Sequence, residues 1–194
     1  HDLVVCSDEI HCDLLRELGV KHIPFASLND DAGQRSITLM SPSKTFNLAG
    51  LGASMAIIPN TQLRRKFLET SKGIVPHVNI LAYVAATAAY REGEEWLVAQ
   101  LDYLRENRER VTTRINAMPG LRMLAPEGTY LGWIDASTLP VQDPYRFFVD
   151  AGVGFSGGAE FGAPGYVRIN LGCQRALLEK ALDRMETALQ ALQR

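Results

Sequence analysis

Residues 3–11, Leu3-Val4-Val5-Cys6-Ser7-Asp8-Glu9-Ile10-His11, run from a continuous apolar segment straight into a cluster of ionisable side chains. A short apolar run without alternation is the signature of a strand covered on both faces. Two comparable runs follow, Ile37 to Met40 and Ala53 to Ile58. The second closes on Pro59-Asn60, where Asn60 is placed to cap a helix starting near Thr61. Helical patterns lie between and after these runs. This alternation predicts an α/β fold with a mostly parallel sheet covered by helices. The chain opens on His1 rather than Met and enters its first strand at once, which reads as a protein with a further N-terminal portion.

Further along, residues 79–91 are Ala-rich with apolar side chains nearly all round, the pattern of a buried helix. Gly93 separates this half from a long helix over about 94–117, whose Leu97, Leu101, Leu104, Val111 and Ile115 keep helical spacing until Pro119-Gly120 stops it. After that, strand-like pieces (Tyr130 to Ile134, Tyr166 to Leu171) alternate with Gly-rich turns. The chain closes on a helix striped by Leu178, Leu182, Met185, Leu189 and Leu192, too few heptads for a coiled-coil seam. A domain boundary is expected near 93–100, with 1–93 as one domain and 94–194 as a linker helix plus a smaller α+β domain.

Composition narrows the function classes. The 194 residues are 46% hydrophobic, 22% charged and 8% aromatic, an ordinary globular balance that excludes disorder as the main state. A net charge of −2 provides no global basic field for nucleic acid or an anionic membrane. The apolar run from Ile80 to Tyr90 is too short to span a bilayer. Cys6, Cys12 and Cys173 form neither a disulfide framework nor a CxxC pair, so reduced thiols in a cytoplasmic protein are expected.

Three places could carry chemistry. Asp8 stands at the carboxyl end of the first strand, where ligands bind in open α/β sheets, although a strand-end Asp is also a common turn former. Asp8, Glu9, His11, Cys12 and Asp13 lack HExxH spacing and a second ligand cluster, so no metal is expected. Ser41-Pro42-Ser43-Lys44-Thr45-Phe46-Asn47 follows the second strand. Its hydroxyls and helical N–H groups suit a phosphate, and its amine, once desolvated, suits a Schiff base. It is not a Walker loop, and an exposed turn lysine is the bland alternative. Arg168 lies in the otherwise apolar strand Tyr166-Val167-Arg168-Ile169-Asn170-Leu171. It needs an anion, either a structural carboxylate or a substrate carboxylate matched by the guanidinium fork.

The series Ser-Asp-Glu-Ile-His (7–11), Ser-Pro-Ser-Lys-Thr-Phe-Asn-Leu-Ala-Gly-Leu (41–51) and Tyr-Val-Arg-Ile-Asn (166–170), in that order and spacing, resembles the class I/II aminotransferase family of fold-type I pyridoxal-phosphate enzymes. Within it, the resemblance is closest to cystathionine β-lyases and cystalysin-like carbon–sulfur lyases. It covers essentially the whole chain but only the C-terminal half of the family's length. It implies that Lys44 carries pyridoxal 5'-phosphate as a Schiff base, and that Asp8 pairs with the protonated pyridine nitrogen. Ser41 and Ser43 would hold the phosphate, and Arg168 would grip the substrate α-carboxylate. His11 stands where many aminotransferases have a Tyr near the cofactor's 3-oxygen, and Gly52 where they commonly have a phosphate-binding Arg. Both departures resemble the lyase branch.

The implied function is a carbon–sulfur β-lyase, giving a thiol, pyruvate and ammonia from a β-thio-substituted amino acid. The alternatives are an aminotransferase and a non-catalytic regulatory protein retaining the fold. The resemblance also implies a homodimer with the site at the subunit interface and a small-molecule amino-acid substrate, without nucleic acid or membrane. Residues 1–194 alone are not expected to be a competent enzyme, because the sheet expects further strands and the cofactor's stacking aromatic is not visible. Bland readings apply to His22 and His77 as loop histidines, to Tyr130 and Trp133 as packing, and to Phe155-Ser156-Gly157-Gly158 as a turn. Cys173 is read as buried and inert.

Overall fold

The computed structural model describes residues 2–14 and 20–192; His1 lies outside them. The chain forms two compact units, His1–Ala99 and Gln100–Arg194.

In the first unit, β1 (Val5–Asp8) is followed by a 3-10 turn at Phe25–Ser27 and by α1 (Asp30–Gln34). Next come β2 (Ser36–Met40), α2 (Pro42–Thr45), a 3-10 turn at Ala49–Leu51 and β3 (Met55–Ile57). The helices α3 (Thr61–Ser71) and α4 (Ile80–Glu92) complete it, with the start of α5 (Glu94–Ala117). Asn60 caps α3 as its sequence position implies, accepting the N–H groups of Gln62 and Leu63. The strands lie in the order β1-β2-β3. β1 runs parallel to β2 with Asp8 opposite Leu39, whereas β3 runs antiparallel to β2. The parallel pair puts the carboxyl ends of β1 and β2 on one edge of the sheet. Asp8 and the chain leaving Met40 therefore emerge side by side.

Burial in this unit differs from the sequence expectation in three places. Leu3 and Val4, just ahead of β1, are exposed, and β3 is exposed on both faces. In α4 only Ala82 is buried, while Ile80 is 77% and Leu81 67% exposed. The reason is physical. An all-apolar helix surface shows that cover is favourable, but not that this stretch of chain provides it. What α4 does pack against is the segment after α2, where Tyr90 meets Phe46 edge-on at 5.6 Å.

The second unit takes the rest of α5, then β4 (Arg122–Met123), β5 (Leu131–Asp135), α6 (Pro144–Asp150), β6 (Ser156–Gly157), β7 (Tyr166–Asn170) and α7 (Arg175–Leu192). Its sheet has the order β4-β5-β7-β6, with every neighbour antiparallel. Alternation sorts the two faces. Ile134, Val167 and Ile169 point into a core shared with Val111 and Ile115 of α5 and the Leu178–Leu182–Met185–Leu189 stripe of α7. Trp133, Tyr166 and Arg168 occupy the opposite, partly exposed face. Arg114 ties α5 to α7 through Glu179, Asp183 and Glu186. Among the described residues, no helix is long and apolar enough to cross a membrane.

Candidate functional site

Asp8 ends β1 with one carboxylate oxygen accepting the Ile10 N–H at 3.2 Å, an Asx turn that starts the following loop. Its other oxygen has no partner among the described residues, and the side chain is exposed. His11 and Cys12 lie half-buried in that same turn. Burial and the neighbouring Asp13 push the Cys12 thiol up to about 11, so it stays protonated at neutral pH.

Glu9, next to Asp8, turns inward and is buried. One of its oxygens accepts the Ser7 hydroxyl and the Phe25 N–H, each at 2.9 Å, and the other lies 2.7 Å from His22 Nε2. Burial disfavours its charge, but the bonds from His22, Phe25 and Ser7 outweigh that and hold the carboxyl below its usual range. Glu9 thereby fastens the segment 22–25 to the end of β1.

The Ser41–Thr45 segment leaves β2 beside this turn. Ser41 is extended and caps α2, its hydroxyl accepting the Ser43 N–H at 3.0 Å. The same hydroxyl lies 2.7 Å from Ser43 Oγ and 2.5 Å from the Ala53 carbonyl. Ser41 is therefore buried and largely occupied within the chain, while Ser43 is half-buried and more accessible. Lys44 follows, half-buried, with no hydrogen bond or ion pair to any described residue. Thr45 is fully buried and donates its hydroxyl to Asp13 at 3.2 Å. Asn47 then adopts a left-handed φ of 55°, a conformation that Asn tolerates better than other non-glycine residues. Lys44 is thus held on a single helical turn between a capping serine and a left-handed asparagine.

In the second unit, Arg168 faces its residues Trp133 and Ser156 across the sheet. Its Nη2 donates to Ser156 Oγ at 3.1 Å, and its guanidinium lies 4.6 Å from the centre of the Phe161 ring. No described carboxylate pairs with it. Of the two readings open for this arginine, the structural ion pair has no partner among the described residues.

A primary amine and a carboxylate oxygen that lack partners among the described residues, with hydroxyls at the helix start, form a donor set that fits pyridoxal phosphate. The family pattern for aminotransferase class I and II matches residues 1–185. The chain belongs to that family. Cystathionine beta-lyase PatB of Bacillus subtilis is 37% identical to this aminotransferase-family chain over 196 residues, covering 97% of it and 50% of PatB. The crystal structure of OvoB superposes with a TM-score of 0.96 at 63% identity, over 98% of this chain and 50% of OvoB. Cystalysin from Treponema denticola, whose structure contains a pyridoxal 5'-phosphate cofactor, gives a TM-score of 0.92 at 33% identity, over 98% of this chain and 50% of cystalysin. The chain spans about half the length of the curated relatives it matches. These likenesses establish the expected fold, part of a fold-type I aminotransferase-like structure.

Sequence reasoning missed four participants around this family's motifs: His22 as the partner of Glu9, the Asp13–Thr45 link, Ser156 and Phe161. For His22, the only faint signal was Glu9, an acid directly after an apolar strand. The other three depend on register and loop closure, which one sequence does not display.

Proposed function

We propose that the protein is a pyridoxal-phosphate-dependent carbon–sulfur β-lyase, releasing a thiol, pyruvate and ammonia from a β-thio-substituted amino acid. The observation that carries the cofactor part of this reading is that the Lys44 amine and one Asp8 carboxylate oxygen, on segments leaving adjacent parallel strands, both lack a partner among the described residues. The name of its relative PatB, a cystathionine beta-lyase, supports the lyase branch.

When bound, pyridoxal phosphate supplies an electron sink for negative charge at the amino-acid α-carbon. Each side chain then has a defined task. Lys44 would hold the cofactor and, with its amine free, would remove the substrate α-proton as general base. Asp8 keeps a proton on the pyridine nitrogen by charge pairing. Ser43, with Ser41 shaping the turn, would bind the phosphate, and His11 would serve the cofactor's 3-oxygen. Arg168 takes the substrate α-carboxylate through its fork. Departure of a thiolate from the β-carbon leaves a three-carbon remainder that takes up water to give pyruvate and ammonia.

In this reading residues 1–93 belong to the larger cofactor-binding domain and 94–194 form the linker helix and the small domain. The enzyme is a cytoplasmic homodimer with its site at the subunit interface. A second reading, aminotransferase, uses the same groups and is favoured by the family itself. Incubating the full-length enzyme with cystathionine and no keto acid separates the two. Pyruvate release supports the lyase, and conversion of the cofactor to pyridoxamine phosphate that a keto acid reverses supports the aminotransferase.

A further inference from the structure

The Arg168 face of the second unit carries more than an arginine. Phe161 is 50% exposed, yet its ring is held in place by Trp133, edge-on at 5.6 Å and 86°. Trp133 in turn stacks on Tyr166 at 5.5 Å and 11°, and the Tyr166 hydroxyl donates to Asp135 at 3.1 Å. The chain 158–163 is folded so that Phe161 reaches back over the strand. Ala163 N–H bonds the Gly158 carbonyl at 2.9 Å, and Gly162 takes a left-handed φ of 77° directly after Phe161. Gly158 is required here, since a Cβ would lie 2.1 Å from the Ala163 carbonyl and 2.4 Å from that of Tyr166.

These contacts grip Arg168 from two sides. Ser156 takes one N–H of Nη2, and the guanidinium carbon sits over the Phe161 ring, 4.6 Å from its centre. The donors of Nε and Nη1 have no acceptor among the described residues. An arginine side chain otherwise samples many rotamers, and holding it still reduces the ordering cost when a carboxylate arrives. We propose that Phe161 and Ser156 are positioning residues for carboxylate binding: together they fix the guanidinium plane and leave its remaining edge directed at the substrate. This rests on the reading that Arg168 binds the substrate α-carboxylate.

The test uses the full-length, cofactor-loaded enzyme and its variants Phe161→Leu, Phe161→Tyr, Ser156→Ala and Arg168→Lys. Two quantities are measured: the KM and kcat for cystathionine, and the Kd for 3-(methylthio)propanoate, which offers a carboxylate without an amino group. Losing a cation–π contact of ordinary strength changes binding by roughly three- to tenfold. Phe161→Leu is expected to raise KM and the carboxylate Kd together by about that factor, with kcat within twofold. Phe161→Tyr, which keeps the ring, is expected to restore both, and Ser156→Ala to shift both in the same direction by less. Arg168→Lys keeps the charge but loses the fork, so it should raise both further. Should Arg168→Lys raise KM while Phe161→Leu and Ser156→Ala leave KM and Kd unchanged, the positioning role is wrong and the arginine's role stands. Unchanged values in Arg168→Lys would overturn the underlying reading and the proposal with it. If Phe161→Leu lowers the thermal midpoint too far for assay, Ser156→Ala decides by the same criteria.

Discussion

Thr45 donates its buried hydroxyl to Asp13, linking the residue beside Lys44 to the turn that begins at Asp8. The two catalytic candidates are therefore joined by a short path through side chains as well as through the β1–β2 ladder. Replacing Thr45 by Val preserves shape and removes the donor. The expected loss is about 1 kcal/mol of stability, with a small effect from Asp13→Asn, which keeps an acceptor. Urea unfolding measures it. A Thr45→Val midpoint equal to wild type would show that the link contributes nothing.

Asp8 should matter more for chemistry than for folding, since its side chain is exposed and makes one local hydrogen bond. Asp8→Asn keeps the size and removes the anion that, under the proposed function, would pair with the ring nitrogen. A fall in kcat of about 10²-fold or more is expected, the scale of losing a preorganised charge at a reacting group. Unfolding measured in parallel should move little. Unchanged kcat would reduce Asp8 to a turn residue.

Glu9 gives a pH signature. Its carboxyl is held below the ordinary value of 4.5 in the folded protein. A depressed folded value means that the unfolded chain takes up the proton first, so the stabilisation is present above pH 4.5 and is lost as pH falls below it. Other carboxylates titrate in the same window, Asp135 among them, so the informative quantity is the difference between wild type and Glu9→Gln. The stability gap between them should shrink as pH falls from 6 towards about 3. A gap independent of pH would mean that the charge on Glu9 is not what holds His22 and Phe25.

The outline of the fold could be read from local patterns. The apolar runs that became β1, β2 and β3, the Asn60 cap, the long α5 and the α7 stripe all follow from spacing over a few residues. The same rules misjudged α4 and β3, because hydrophobicity reports a preference for cover and is silent about its source. Strands β4 and β6, of two residues each, are too short to show a period. The start of α6 was legible in principle, since Asp143-Pro144 is a capping residue followed by proline, and Asp143 accepts the Tyr145 N–H. Among the candidate site residues, Lys44, Asp8 and Arg168 stood out because each places a charged group at or just beyond a strand end or within an apolar strand. Glu9–His22 and Arg168–Ser156 join residues 13 and 12 apart, and only the folded turns and the β6–β7 register bring them together.

Borohydride treatment of the cofactor-loaded, full-length enzyme, followed by peptide mapping, tests the account at its centre. The cofactor should be fixed covalently on the peptide containing Lys44, and Lys44→Ala should lose both the yellow colour and turnover while unfolding near the wild-type midpoint. Label on Lys66 or Lys72, or a Lys44→Ala protein that still turns over substrate, would contradict it.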